Sequence, residues 1–143
     1  MGATPDELQS RLLNAPDGGA AHDAIRELSK LAKDGDGSAL AMLIDYARSG
    51  RFDHIRTFIT SVLARAATAR DAPLLPFFTE GLGDPVRGYW SILGYIRVAE
   101  AEAYRDLVRL LLDTRLPLGH RAHAAKCLAR YLSLIHISEP TRP

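Results

Sequence analysis

Residues 82–96, Leu82-Gly-Asp-Pro-Val-Arg-Gly-Tyr-Trp-Ser-Ile-Leu-Gly-Tyr-Ile96, decide the fold. Asp84-Pro85 is a helix start: a carboxylate accepts free N–H groups, and proline suits the first turn, where its missing donor has no partner. From Val86 to about Val98 two apolar stripes follow, Val86, Tyr89, Trp90, Leu93 and Ile96 on one side and Ile92, Tyr95 and Ala99 beside it. Only Arg87, Ser91 and Arg97 interrupt them. A helix apolar most of the way round has to be covered on more than one side, so the spacing predicts an inner helix with neighbours before and after it.

The same period of 3.6 extends outward in both directions, without sustained alternation of period two. Leu8, Leu12 and Leu13 predict a first helix, closed by Asn14-Ala-Pro-Asp-Gly-Gly19. Ile25, Leu28, Leu31 and Ala32 predict a second, stopped by Asp34-Gly-Asp-Gly37. Leu40, Leu43, Ile44 and Ala47 predict a third, capped by Ser38 or Asp36 and ended by Ser49-Gly50. Ile55, Ile59, Val62, Leu63 and Ala66 predict a fourth, capped by Asp53, and a fifth begins around Asp71 with Pro73 in its first turn. Tyr104, Leu107, Val108 and Leu111 predict a seventh, and Ala124, Cys127, Leu128 and Tyr131 an eighth after Thr114 to Pro117. Links this short turn successive helices back antiparallel. The expectation is an all-α chain of about eight helices in antiparallel pairs.

Residues 74–96 overlay residues 109–131 at a spacing of 35, with Leu93 on Leu128, Gly94 on Ala129 and Ile96 on Tyr131. That spacing falls in the range of two-helix repeats. The 82–96 segment resembles the HEAT repeat, whose second helix follows an Asp-Pro turn with Val-Arg, small residues, then Leu-Gly and an aliphatic residue. His120 to Tyr131 is similar to a second, more degenerate copy. The resemblance implies a right-handed α-solenoid in which the turn Asp and the following Arg are structural, carried by Asp84 (with Pro85) and Arg87, and in the second copy by Asp113 and Arg121. Trp90 departs from the pattern, which has a small residue there, and the helices before residue 72 show the period without the motif.

Leu132 to Pro143, LSLIHISEPTRP, differs in composition from what precedes it and carries no helical pattern. Back-translated, it resembles transposase-end and adapter DNA from sequencing libraries, in frame throughout. The expected division is therefore a HEAT-like domain over residues 1–131, as the N-terminal fragment of a longer protein, and a non-native tail over residues 132–143. His136 then carries no function.

Composition bounds the chemistry. Of 143 residues, 47% are hydrophobic and 24% charged, as in ordinary globular chains, and the net charge of +1 gives no bulk field for nucleic acid or membrane. Neither a membrane-length apolar run nor a secretion signal is present, so a cytoplasmic location is expected. The charge is unevenly spread: residues 1–45 hold four basic and eight acidic residues, residues 85–131 eight basic and four acidic. On the eighth helix Arg121, His123, Lys126 and Arg130 occupy the sides left by the apolar stripe. With Arg87 they form the expected partner-binding set, facing another protein with an acidic surface.

Reactive constellations are weak. Asp34-Gly-Asp-Gly37 opens like a calcium loop, but Ala39 stands at the sixth position and Asp45 at the twelfth, where Gly and Glu are required. His120 and His123 could face a metal together, with no carboxylate or Cys at i+4 to complete a site. Cys127 lies on the buried stripe, as a small core residue rather than a nucleophile. No phosphate-binding loop, dinucleotide fingerprint or Gly-x-Ser-x-Gly occurs. The expected function is a non-catalytic scaffold for protein–protein interaction, without catalytic residues, cofactor or metal. Two alternatives stay open: a HEAT-like immunity protein that neutralises a toxin, and a HEAT-like DNA-binding or DNA glycosylase-type protein offering Trp90 and Tyr95 to an extruded base.

Overall fold

The computed structural model describes residues 3–138. Their helices are α1 (Pro5–Leu13), α2 (Gly18–Lys33), α3 (Gly37–Ser49), α4 (Asp53–Ala66), α5 (Leu75–Gly81), α6 (Gly88–Ala99), α7 (Ala103–Leu112) and α8 (Leu118–Ser138), with single 3-10 turns at Ala72–Leu74 and Glu100–Glu102. The fold is all-α, and no strand occurs among the described residues. The chain forms two compact units, Met1–Thr60 and Ser61–Pro143, whose boundary falls within α4.

In the first unit each of the first three helices begins on a side-chain cap. The Glu7 amide donates to Thr4 Oγ1 at 3.3 Å, the Ala20 amide to Asp17 Oδ1 at 2.9 Å and the Ala39 amide to Asp36 Oδ1 at 3.0 Å. Asp36, not Ser38, is thus the cap of α3, and Gly35 turns the chain before it with φ +97°, a backbone region open mainly to glycine. The Asp34 to Gly37 segment is an interhelical turn. Asn14 to Gly19 ends earlier as a turn than its sequence suggests, because Asp17 caps α2 and both glycines lie inside its first turn. Asp53 likewise lies within α4, where it pairs with Arg56 at 3.1 Å. Arg56 also reaches back to α3, donating from Nε to the Ala47 carbonyl at 3.0 Å and from Nη2 to the Arg48 carbonyl at 2.9 Å. Leu8 and Leu12 of α1 are buried, but Leu13 is exposed.

In the second unit α6 packs against α5, α7 and α8. Its coverage on several sides follows from a buried arc that includes Gly88, Ser91, Ile92, Gly94, Tyr95, Ile96 and Val98. The arc is rotated from the sequence expectation. Ser91 and Arg87, read from sequence as interruptions of the apolar surface, are buried, whereas Tyr89 is 38% exposed. The bare Cα of Gly81 on α5 makes room for this, since Ser91 Oγ fills the space a side chain there would need.

The fifth helix begins at Leu75 rather than near Asp71. Two prolines divide the segment: Pro73 lies in the 3-10 turn and Pro76 in the first turn of α5. Asp71 instead accepts the Thr68 amide at 2.7 Å. α6 ends at Glu100, whose φ of 50° is the one positive value for a non-glycine residue among the described residues. α5 and α7 begin at Leu75 and Ala103, α6 and α8 at Gly88 and Leu118, so the helices recur 28 and 30 residues on rather than 35. The overlay accordingly breaks down in burial, since Gly94 is buried and Ala129 exposed. α8 also runs on to Ser138, so the segment after Tyr131 continues the helix although its sequence showed no helical pattern.

Candidate partner-binding site

Asp84, Pro85 and Arg87 shape the turn into α6. Asp84 Oδ1 accepts the Val86 amide at 2.7 Å and the Arg87 amide at 3.4 Å, while Oδ2 accepts Arg87 Nε at 3.2 Å. Burial pushes the Asp84 carboxyl up, but the Val86 amide and the Arg87 side chain and amide outweigh it and hold the group below its ordinary value. The Arg87 guanidinium stands 5.3 Å from the Phe77 ring centroid. Arg87 is only 7% exposed. It is a component of the α5–α6 turn and has no surface to present to a partner, which corrects its place in the cationic set.

The other four members lie on α8. Arg121 is half-buried and its Nε donates to the Leu111 carbonyl at 3.0 Å, closing the end of α7. Asp113 pairs with Arg115 at 3.0 Å, so the ion pair at the α5–α6 turn has no like counterpart there between Asp113 and Arg121. Lys126 and Arg130 are exposed. With His123 they stand at i, i+3 and i+7 and share one face of the helix.

His123 joins this face to α6. Its ring stacks on Tyr89, with centroids 3.7 Å apart and planes 12° apart. Trp90 meets Tyr89 edge-on at 5.1 Å and His123 at 6.3 Å. Arg65, at the end of α4, places its guanidinium 4.7 Å from the Trp90 ring centroid. The result is a ledge of Trp90, Tyr89 and His123 with Arg65 at one end and Lys126 and Arg130 along α8. Tyr89 and Arg65 are absent from the sequence-predicted site residues, and Trp90 enters them only in the glycosylase-type alternative. The period of Tyr89 and Trp90 is that of core residues, and no local signal links Arg65 to a tryptophan 25 positions later.

The buried side of α8 is chemically quiet. Cys127 does stand four residues after His123, and its Sγ lies 3.6 Å from His123 Nε2, correcting the expectation that no cysteine has that spacing. Burial pushes the Cys127 thiol up, against the attraction of Arg130. Burial also pushes His123 down, reinforced by His120 and Lys126 and opposed by a hydrogen bond to the Tyr89 backbone. Both shifts favour thiol and neutral imidazole over thiolate and imidazolium. His120 is turned elsewhere: a Cβ on Gly88 would lie 2.7 Å from its Nδ1. Burial lowers its pKa, against the pull of Asp84. No three of His, Cys, Asp and Glu converge as metal ligands among the described residues.

Tyr95 and Trp90 have different partners. The Tyr95 hydroxyl donates to Asp106 Oδ2 at 2.5 Å, tying α6 to α7, and its ring is buried, while Trp90 lies under Arg65. No helix among the described residues is long and apolar enough to cross a membrane. No family model matches the chain, and no curated protein or solved structure matches it.

Proposed function

We propose that this chain is a non-catalytic, HEAT-like helical-repeat scaffold that binds another protein, acting in the cytoplasm. The observation that carries the reading is the ledge on α6 and α8. Trp, Tyr and Arg are the residue types that concentrate binding energy at protein interfaces, because they combine large contact area with directional polar groups. Here Trp90 and Tyr89 of α6 meet Arg65 from the end of α4, beside two exposed cations on α8. Support for a repeat architecture comes from the second unit, where two successive helix pairs, α5–α6 and α7–α8, share α6 as a covered inner helix.

The glycosylase-type alternative needs an aromatic pocket with an acidic group open to a base. Tyr95 and Asp106 are spent on each other between α6 and α7.

The test begins with a photo-crosslinking amino acid in place of the exposed Ala129 on α8, and in parallel in place of the exposed Ser38 on α3. A protein captured at Ala129 and not at Ser38 is then purified and titrated against the chain. The scaffold reading expects Tyr89→Ala to weaken that complex about tenfold or more, a hot-spot effect. A complex indifferent to Tyr89→Ala, or capture at both positions alike, contradicts it.

A further inference from the structure

Resting on that reading, we propose that the occupant of the ledge is a carboxylate-rich protein segment. The charge pattern of the two helices is one-sided. α6 and α8, Gly88–Ala99 and Leu118–Ser138, contain no Asp or Glu, and their basic residues are Arg97, Arg121, Lys126 and Arg130. Arg97 and Arg121 are held by backbone carbonyls, those of Ala67 at 2.8 Å and Leu111 at 3.0 Å. Lys126 and Arg130 are exposed, and Arg65 adds a third cation from α4. Three carboxylates of the same unit already have partners: Asp84 with Arg87, Asp113 with Arg115, and Asp106 with Tyr95. The ledge is thus cationic without a compensating carboxylate on either helix, and its complement is an anionic partner.

The aromatic geometry selects which anion. Stacking nucleobases draws on free ring faces, and His123 takes one face of Tyr89 and Arg65 one face of Trp90, which leaves each ring at most one. The rings also carry edges, the positive rim of the aromatic quadrupole, and the Arg65 guanidinium lies beside Trp90. Carboxylates fit that combination, accepting charge-assisted hydrogen bonds from Arg65, Lys126 and Arg130 while lying against ring edges. Three exposed cations are also few for a phosphate backbone, whose binding draws on a longer track of contacts.

Trp90 is the single tryptophan of the chain and reports on the site directly. The full chain is titrated, with Trp90 fluorescence as readout, against a short Glu-rich peptide, a Gly/Ser peptide of equal length and a single-stranded oligonucleotide. The expected result is a saturable change with the Glu-rich peptide alone, strongly reduced at about 0.5 M salt, where screening falls to a few ångströms. The double variant Lys126→Glu/Arg130→Glu weakens it about tenfold or more, while Arg26→Glu/Arg105→Glu, with the same change in net charge, leaves it unaltered. Circular dichroism of both variants shows that each is folded. No saturable change, or equal weakening by the two variants, overturns the carboxylate proposal and leaves the scaffold reading to its own crosslinking test. Saturation by the oligonucleotide in place of the peptide overturns both.

Discussion

The ring of Phe78 on α5 fills the space into which any side chain at position 94 of α6 would project. Both residues are buried, so neither can retreat into solvent. Gly94→Ala therefore forces the α5–α6 contact apart and is expected to destabilise the second unit by about 1–3 kcal/mol through overpacking, despite alanine's better helix propensity. Urea unfolding followed by Trp90 fluorescence measures it, and Phe78→Leu introduced with Gly94→Ala recovers part of the loss. A neutral or stabilising Gly94→Ala would mean that the two helices do not approach this closely.

Asp84 holds the turn that begins α6. Its replacement by Ala removes the acceptor for the Val86 amide and leaves the buried Arg87 without its carboxylate. The expected cost is about 3 kcal/mol or more, combining a lost cap with a stranded charge. Asp84→Asn, which keeps an acceptor but loses the charge, costs less. Because the Asp84 carboxyl is held below its unfolded value, its contribution is present above the ordinary Asp pKa of about 3.9 and is lost as pH falls through the lower native value.

His120 and His123 act in a higher pH window. Both are held below the ordinary histidine value by burial, so the unfolded chain takes up protons more readily than the native one. Their contribution is complete above a pH of about 6.5 and is lost as pH falls below it, toward the depressed native values. Urea midpoints at about pH 7.5 and pH 5.5 should show lower stability at the acidic value. The double variant His120→Gln/His123→Gln narrows that difference; an unchanged difference would assign it to other groups.

Cys127 should be slow to react. It is buried, and its thiol is pushed above the usual range, so the thiolate that attacks a disulfide reagent is scarce. Modification by an aromatic disulfide at neutral pH is expected to be at least about a hundredfold slower than in urea-unfolded chain, because access adds to the effect of pKa. Rapid reaction of the native chain would contradict the packing of α8 on α6.

The helical class was legible because helix starts and stops are local chemistry. Asp36 caps α3, one of the two residues expected there; Asp84 instead caps a turn, and α6 begins only at Gly88, without a side-chain cap. The 3.6 period placed the helices before residue 67 and α7 closely, and missed the starts of α5 and α6 and the last turns of α8. What the sequence did not disclose was rotation about the α6 axis. Arg87 and Ser91 look like solvent-facing interruptions, but Arg87 is neutralised by Asp84 three residues earlier, and Ser91 enters the α5 contact because Gly81 has no side chain. Their burial turns Tyr89 outward. The ledge was hidden for the same reason: an aromatic residue on a strongly apolar helix has the period of a core residue, and Arg65 reaches Trp90 only through tertiary packing. The start of α5 was misplaced because Pro73 belongs to a separate 3-10 turn and Pro76 to the first turn of the helix.

The central claim, that the α6–α8 ledge binds a carboxylate-rich protein segment, is most directly tested by two-dimensional NMR of the one indole N–H in the chain, that of Trp90. On titration with the Glu-rich peptide, the account predicts a saturable shift of that resonance, with the Lys126 and Arg130 amides shifting at the same midpoint. An indole resonance that stays fixed while backbone amides elsewhere respond, or that moves only with the oligonucleotide, would contradict it.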